Sequence, residues 1–82
     1  MMEYLVSFAR TNDAIRGEGL LLQAGLSVGV MPLPSRIKAG CGLSFRIRPH
    51  EFQEAVRILT EAGITGMGFY EKEDQKIKEI HL

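Results

Sequence analysis

Residues Leu43-Ser44-Phe45-Arg46-Ile47-Arg48 alternate apolar and polar, and Pro49 follows at once. Alternation with a period of two places one apolar face toward a core, which predicts a half-buried strand. Proline closes that strand and opens a helix, because its missing N–H is not needed in a first turn. Phe52, Ala55, Val56 and Leu59 then fall at i, i+3, i+4 and i+7, and Gly63 marks the exit. A strand with one apolar face joined directly to a helix with one apolar stripe buries both in a single core. This junction therefore demands a sheet with helices packed on it.

The rest of the chain repeats the rhythm. Residues 3–9 (EYLVSFA) are rich in β-branched and aromatic side chains and read as a strand. Thr11-Asn12-Asp13 supplies side chains able to cap a helix, expected over 12–24. Ala14, Ile15, Leu21, Leu22 and Ala24 form its expected apolar face, Gly25 its stop, and Gly17 and Gly19 lie inside it. Leu26 to Met31 reads as a second strand ended by Pro32-Leu33-Pro34, and Ile64 to Tyr70 as a fourth. The second helix is expected over 50–62.

The order β-α-β-β-α-β has one compact solution. It is an α+β, ferredoxin-like sandwich: a four-stranded antiparallel sheet of order 4-1-3-2 with both helices on one face. Residues 1–70 form this single domain. Residues 71–82 are read as a charged tail, open between a short helix, an added edge strand and a frayed end. The first strand has apolar residues in both phases, so some face away from the helices. Such patches mark contact sites, and a homo-oligomer using the uncovered sheet face or the tail is expected.

Ten basic and ten acidic residues cancel, which argues against a general nucleic-acid or membrane-surface binder. The alternating strand also lacks the aromatic pattern that stacks RNA bases. No apolar run suits a membrane span and no signal peptide is visible, so the expected location is cytoplasmic. Charge is unevenly placed, however. Residues 19–50 carry Arg36, Lys38, Arg46 and Arg48 and no acid, a stretch that favours an anion.

Catalytic constellations are sparse. His50 and His81 are far apart and metal-ligand spacing is missing, so no metal site and no cofactor are expected. Residues 63–68 (GITGMG) lead into a strand, whereas a phosphate cradle needs a helix N-terminus.

The chain's single cysteine remains, in Lys38-Ala39-Gly40-Cys41-Gly42-Leu43. Gly40 and Gly42 remove shielding side chains, and their backbone N–H groups are able to turn toward an anion. Arg36 and Lys38 precede the sulfur. In the expected sheet, the third strand starts where the first ends, which brings Cys41 toward Arg10, Thr11 and Asn12 at the first helix N-terminus. These surroundings favour a thiolate. The competing reading is structural: Cys41 is in phase with Leu43, Phe45 and Ile47, and free cysteine is often a small buried hydrophobe.

Between Tyr4 and Tyr70 the sequence resembles the small domains described as putative selenium/sulfur carrier protein-like. The resemblance rests on Tyr4-Leu5-Val6-Ser7-Phe8, on Glu18 with Leu21-Leu22, and on Ala24-Gly25. More specific are Pro32-Leu33-Pro34-Ser35-Arg36-Ile37 and the signature Cys41-Gly42-Leu43. Gly17, Gly19 and the tail depart from the family pattern. The resemblance implies that Cys41 holds sulfur or selenium as a persulfide or selenosulfide. It implies a donor such as a cysteine desulfurase, an acceptor protein, and a carrier rather than a true enzyme. The alternative is a non-catalytic regulatory or ligand-binding oligomeric module in which Cys41 is structural.

Overall fold

A computed structural model describes residues 2–37 and 40–82. Its elements are β1 (Met2–Ser7), α1 (Thr11–Gln23), β2 (Val28–Pro32), β3 (Leu43–Ile47), a 3-10 turn (Pro49–Glu51), α2 (Phe52–Glu61), β4 (Gly68–Glu73) and β5 (Lys76–Ile80). The fold is α+β, with an antiparallel sheet of order β2-β3-β1-β4-β5. Five strands form it, not the four expected. The extra one comes from the segment read as a charged tail. Residues 71–73 complete β4, and β5 pairs along it from Phe69↔Ile80 to Glu73↔Lys76.

Two further expectations are corrected. The fourth strand begins at Gly68, not Ile64, because Gly66 takes a left-handed turn at φ 76° and delays entry to the sheet. The buried face of α1 is Ala14, Gly17 and Leu21, while Ile15 and Leu22 are exposed.

Both helices lie on one face of the sheet, over Tyr4, Val6, Phe45 and Ile47. Aromatic contacts fix their seat. Tyr4 stacks on Phe52 of α2 at 4.0 Å between ring centres, and Phe8 tilts against Phe45 at 4.5 Å. Helix α1 comes close to α2 because Gly17 has no side chain; a Cβ there would stand 2.9 Å from Leu59 Cδ2.

The opposite face is not bare. Leu5, Ser7 and Ser44 point away from the helices, since they alternate with Val6 and Phe45 and pair across the sheet as Ser7↔Ser44. All three are at most 2% exposed. Leu5 and Ile37 are both buried, yet neither belongs to the helix-side cluster. Ile37 sits in the β2–β3 connection, and its neighbour Arg36 donates from Nη1 to the Gln75 carbonyl at 3.0 Å. Gln75 lies in the β4–β5 turn, three strands away from β2. Arg36 and Ile37 therefore lie on the face that the helices leave free, the face on which Leu5 is buried. Leu5, the first-strand apolar residue on that face, is thus buried within a single copy of the chain. Both buried serines are satisfied: Gly68 N donates to Ser7 Oγ at 3.1 Å, and Ser44 Oγ donates to the Met31 carbonyl at 3.4 Å.

Candidate functional site

Cys41 closes the return of the β2–β3 connection, two residues before β3 begins. Its N–H donates to the Phe8 carbonyl at 3.3 Å, so the residue is fastened just beyond the end of β1. Gly40 sits flat against the next residue: a Cβ at position 40 would be 2.4 Å from the Ala9 carbonyl oxygen. Gly42 has φ 76°, a left-handed conformation that side chains other than glycine's disfavour. The Leu33 N–H donates to the Gly42 carbonyl at 2.8 Å and closes the mouth of the connection. The two flanking glycines thus have backbone reasons, a close approach and a turn. Both were singled out in the sequence for leaving the sulfur unshielded.

The cysteine is free and half-buried. Its backbone side reaches Phe8, its side chain packs against the helix-side core, and Sγ is 3.8 Å from the Leu43 carbonyl. A thiol is a weak donor, so this contact orients the sulfur without tying it down.

Helix α1 starts just after the Phe8 and Ala9 main chain that holds Cys41 and Gly40, but without the side-chain cap expected from Thr11-Asn12-Asp13. The residue before the first turn is Arg10, extended at φ −134°, and no side chain caps the helix. Arg10 turns instead to Asp13, Nε to Oδ2 at 3.0 Å. Thr11 and Asn12 occupy the first turn, exposed, and their side chains make no hydrogen bond to a described residue. Their backbone N–H groups have no partner one helical turn earlier. The first-turn N–H groups therefore follow two residues after Ala9, the residue against which Gly40 packs.

The basic residues are dispersed. The Arg36 guanidinium is held by Gln75, beyond Glu73, which pairs with Met2 at the start of β1. Cys41 is at the other end of β1, beside Phe8. Arg36 thus belongs to the fastening of the connection, and a role at the sulfur would require release from that carbonyl. Lys38 lies outside the described residues. The sequence reading missed the Phe8 and Ala9 main chain, which holds Gly40 and Cys41; a carbonyl leaves no mark in a pattern of side chains. Among the described residues, no cluster of metal-ligating side chains occurs and no helix is long and apolar enough to cross a membrane.

A small α+β domain with one thiol at the end of its sheet is what fold and site define together. The chain belongs to the family described as putative Se/S carrier protein-like, whose model matches residues 3–71 and so takes in Cys41. No curated protein and no solved structure matches the chain.

Proposed function

We propose that this chain carries sulfur or selenium on Cys41. Family membership supports the reading. The observation that carries it to a residue is that the chain's single thiol is half-exposed at the end of the sheet, beside the start of α1.

The transfer balances without an oxidant. The Cys41 thiolate attacks the terminal sulfur of a donor persulfide, R–S–SH. The donor S–S bond, or the S–Se bond of a selenosulfide donor, breaks and R–S⁻ leaves. Cys41–S–SH forms, or Cys41–S–SeH from R–S–SeH. A nucleophilic acceptor then attacks the outer sulfur or selenium, its bond to Cys41 Sγ breaks, and the Cys41 thiolate leaves. With no second cysteine in the chain, no internal thiol discharges the cargo as a disulfide. The bound persulfide is anionic, and charged acceptors draw hydrogen bonds more strongly. The first-turn N–H groups at Thr11 and Asn12 and the backbone around Gly40 and Gly42 are proposed to receive it. Arg10, once it leaves Asp13, and Arg36, once it leaves Gln75, are proposed to add positive charge, as is Lys38. The partners are a donor such as a cysteine desulfurase and an acceptor protein. A cytoplasmic setting would keep the thiol reduced. The chemistry requires no homo-oligomer.

Cys41's contact with the core favours the second reading, a binding module with a structural cysteine. Intact-mass measurement after incubation with a desulfurase and cysteine separates the two. The carrier gains the mass of one sulfur atom, and Cys41→Ser does not. No gain, from a desulfurase that loads a control acceptor in the same experiment, would sink the proposal. The structural reading also predicts that alkylation of Cys41 is slow in the native protein and fast in the denatured one.

A further inference from the structure

The four cations that stand together in the sequence without an acid are divided by the fold. Arg46 and Arg48 go to a cleft of about 600 Å³, at the end of the sheet opposite Cys41. Its walls are the start of β1, the start of β2 and the β3–α2 junction. A cleft of this size suits a small organic molecule.

The geometry is prepared for an anion. Arg46 Nε is paired with Glu3 Oε2 at 3.2 Å, which leaves the outer nitrogens of its guanidinium for another acceptor. Gly29 lies under the same group, and a Cβ there would be 3.3 Å from both Nε and Nη2. The carboxylate and the bare backbone lie against one side of the guanidinium, and the other side is open to solvent. Arg48 lines the cleft with no ion pair to a described residue, and His50 stands beside it. Glu51, the acid nearest Arg48 in sequence, is turned to the Ser27 N–H at 3.3 Å from both its oxygens. That bond ties the helix entrance to the β2 entrance and forms the wall. Pro49, at the β3–α2 junction, lines the cleft next to Arg48 and supplies apolar surface.

We propose that this cleft binds a small organic anion, a carboxylate or phosphate headgroup gripped by Arg46 and Arg48 with a short apolar body against Pro49. Planar guanidinium groups bind both headgroups through paired N–H donors. The site is separate from Cys41 and does not rest on the carrier reading.

The test is a titration of the full chain followed by amide and arginine Nε NMR. Phenyl phosphate and benzoate are the probes, with sodium chloride at matched ionic strength as the control. Saturable shifts are expected at Ser27, Val28, Gly29 and Arg46 Nε with at least one probe, and the one that saturates names the headgroup. Arg48→Gln, which removes no described contact, should weaken binding about tenfold or more. Arg46→Gln should weaken it similarly, with the spectrum of a folded chain retained. Shifts reproduced by chloride, shifts that never saturate, or undiminished binding by the Arg46→Gln/Arg48→Gln double variant would overturn the proposal.

Discussion

At the scale of the residue, two glycines decide where the sulfur stands. A Cβ on Gly40 would press into the Ala9 carbonyl at 2.4 Å; that oxygen is main chain and cannot rotate away. Gly40→Ala should therefore shift the connection, break the Cys41–Phe8 bond and cost more stability than Gly42→Ala. The latter meets no neighbour and pays only for its left-handed φ of 76°, about 1–2 kcal/mol. Thermal unfolding checks the order, with each kcal/mol moving the midpoint by roughly 4–8 °C in a domain of this size. Gly40→Ala unfolding at the wild-type temperature would show that the close approach to Ala9 is not there. Cys41 and both glycines were legible as unusual in the sequence. The backbone reasons were not, because Ala9 is distant in the chain and φ is not written in a residue name. The partner of Arg36 was not legible for the same reason: Gln75 is 39 residues away, so proximity in sequence to Cys41 does not show where its guanidinium rests.

At the scale of the element, helix α1 contains two glycines with opposite standing. Gly19 has nothing within 4 Å of a built Cβ, so its flexibility weakens the helix with no gain in packing. Gly19→Ala should stabilise the protein by up to about 1 kcal/mol. Gly17→Ala has the same propensity gain but places a methyl 2.9 Å from Leu59 Cδ2 and 3.4 Å from Phe45. Both neighbours are fully buried, so crowding should outweigh the gain and lower stability. Denaturant midpoints of the two variants should thus move in opposite directions; a rise for both would mean that α1 does not pack tightly at Gly17. The periodicity of α1 misled because a glycine occupies a buried position without adding hydrophobicity. Ile15 and Leu22 then looked like the core face. The β3–α2 junction was legible, since alternation, proline entry and helical period agree over residues 43–63. Strand β5 hid behind its charges: Lys76, Lys78 and Glu79 break apolar alternation, as suits a strand at the free edge of a sheet. Its turn depends on Asp74 at φ 55°, which aspartate tolerates better than most residues.

At the scale of the whole molecule, the sheet is covered on both sides by different means. The helices bury Val6, Phe45 and Ile47; Leu5, Ser7 and Ser44 are buried on the other face, over which the β2–β3 connection places Arg36 and Ile37. The first layer was legible as periodic apolar residues. The second was not, because a connection rich in proline and glycine carries no period. Only the position of its tip, set by Arg36 on Gln75, shows where it runs. This second layer links the site to the rest of the fold, since the segment that crosses the sheet ends in Cys41. The key residue is Ile37, 8% exposed although it belongs to neither helix nor strand. Truncating a buried isoleucine costs about 2–5 kcal/mol, and truncating an exposed one costs within about 0.5 kcal/mol. Ile37→Ala should therefore destabilise the chain by at least about 2 kcal/mol, whereas Ile15→Ala, at a helix residue 62% exposed, should be nearly neutral. The loss at position 37 should also loosen the return of the connection and speed native alkylation of Cys41, which Ile15→Ala should leave unchanged. Urea unfolding and timed alkylation of the two variants test this directly. An Ile37→Ala variant as stable as Ile15→Ala would show that the connection rests on the sheet without holding it.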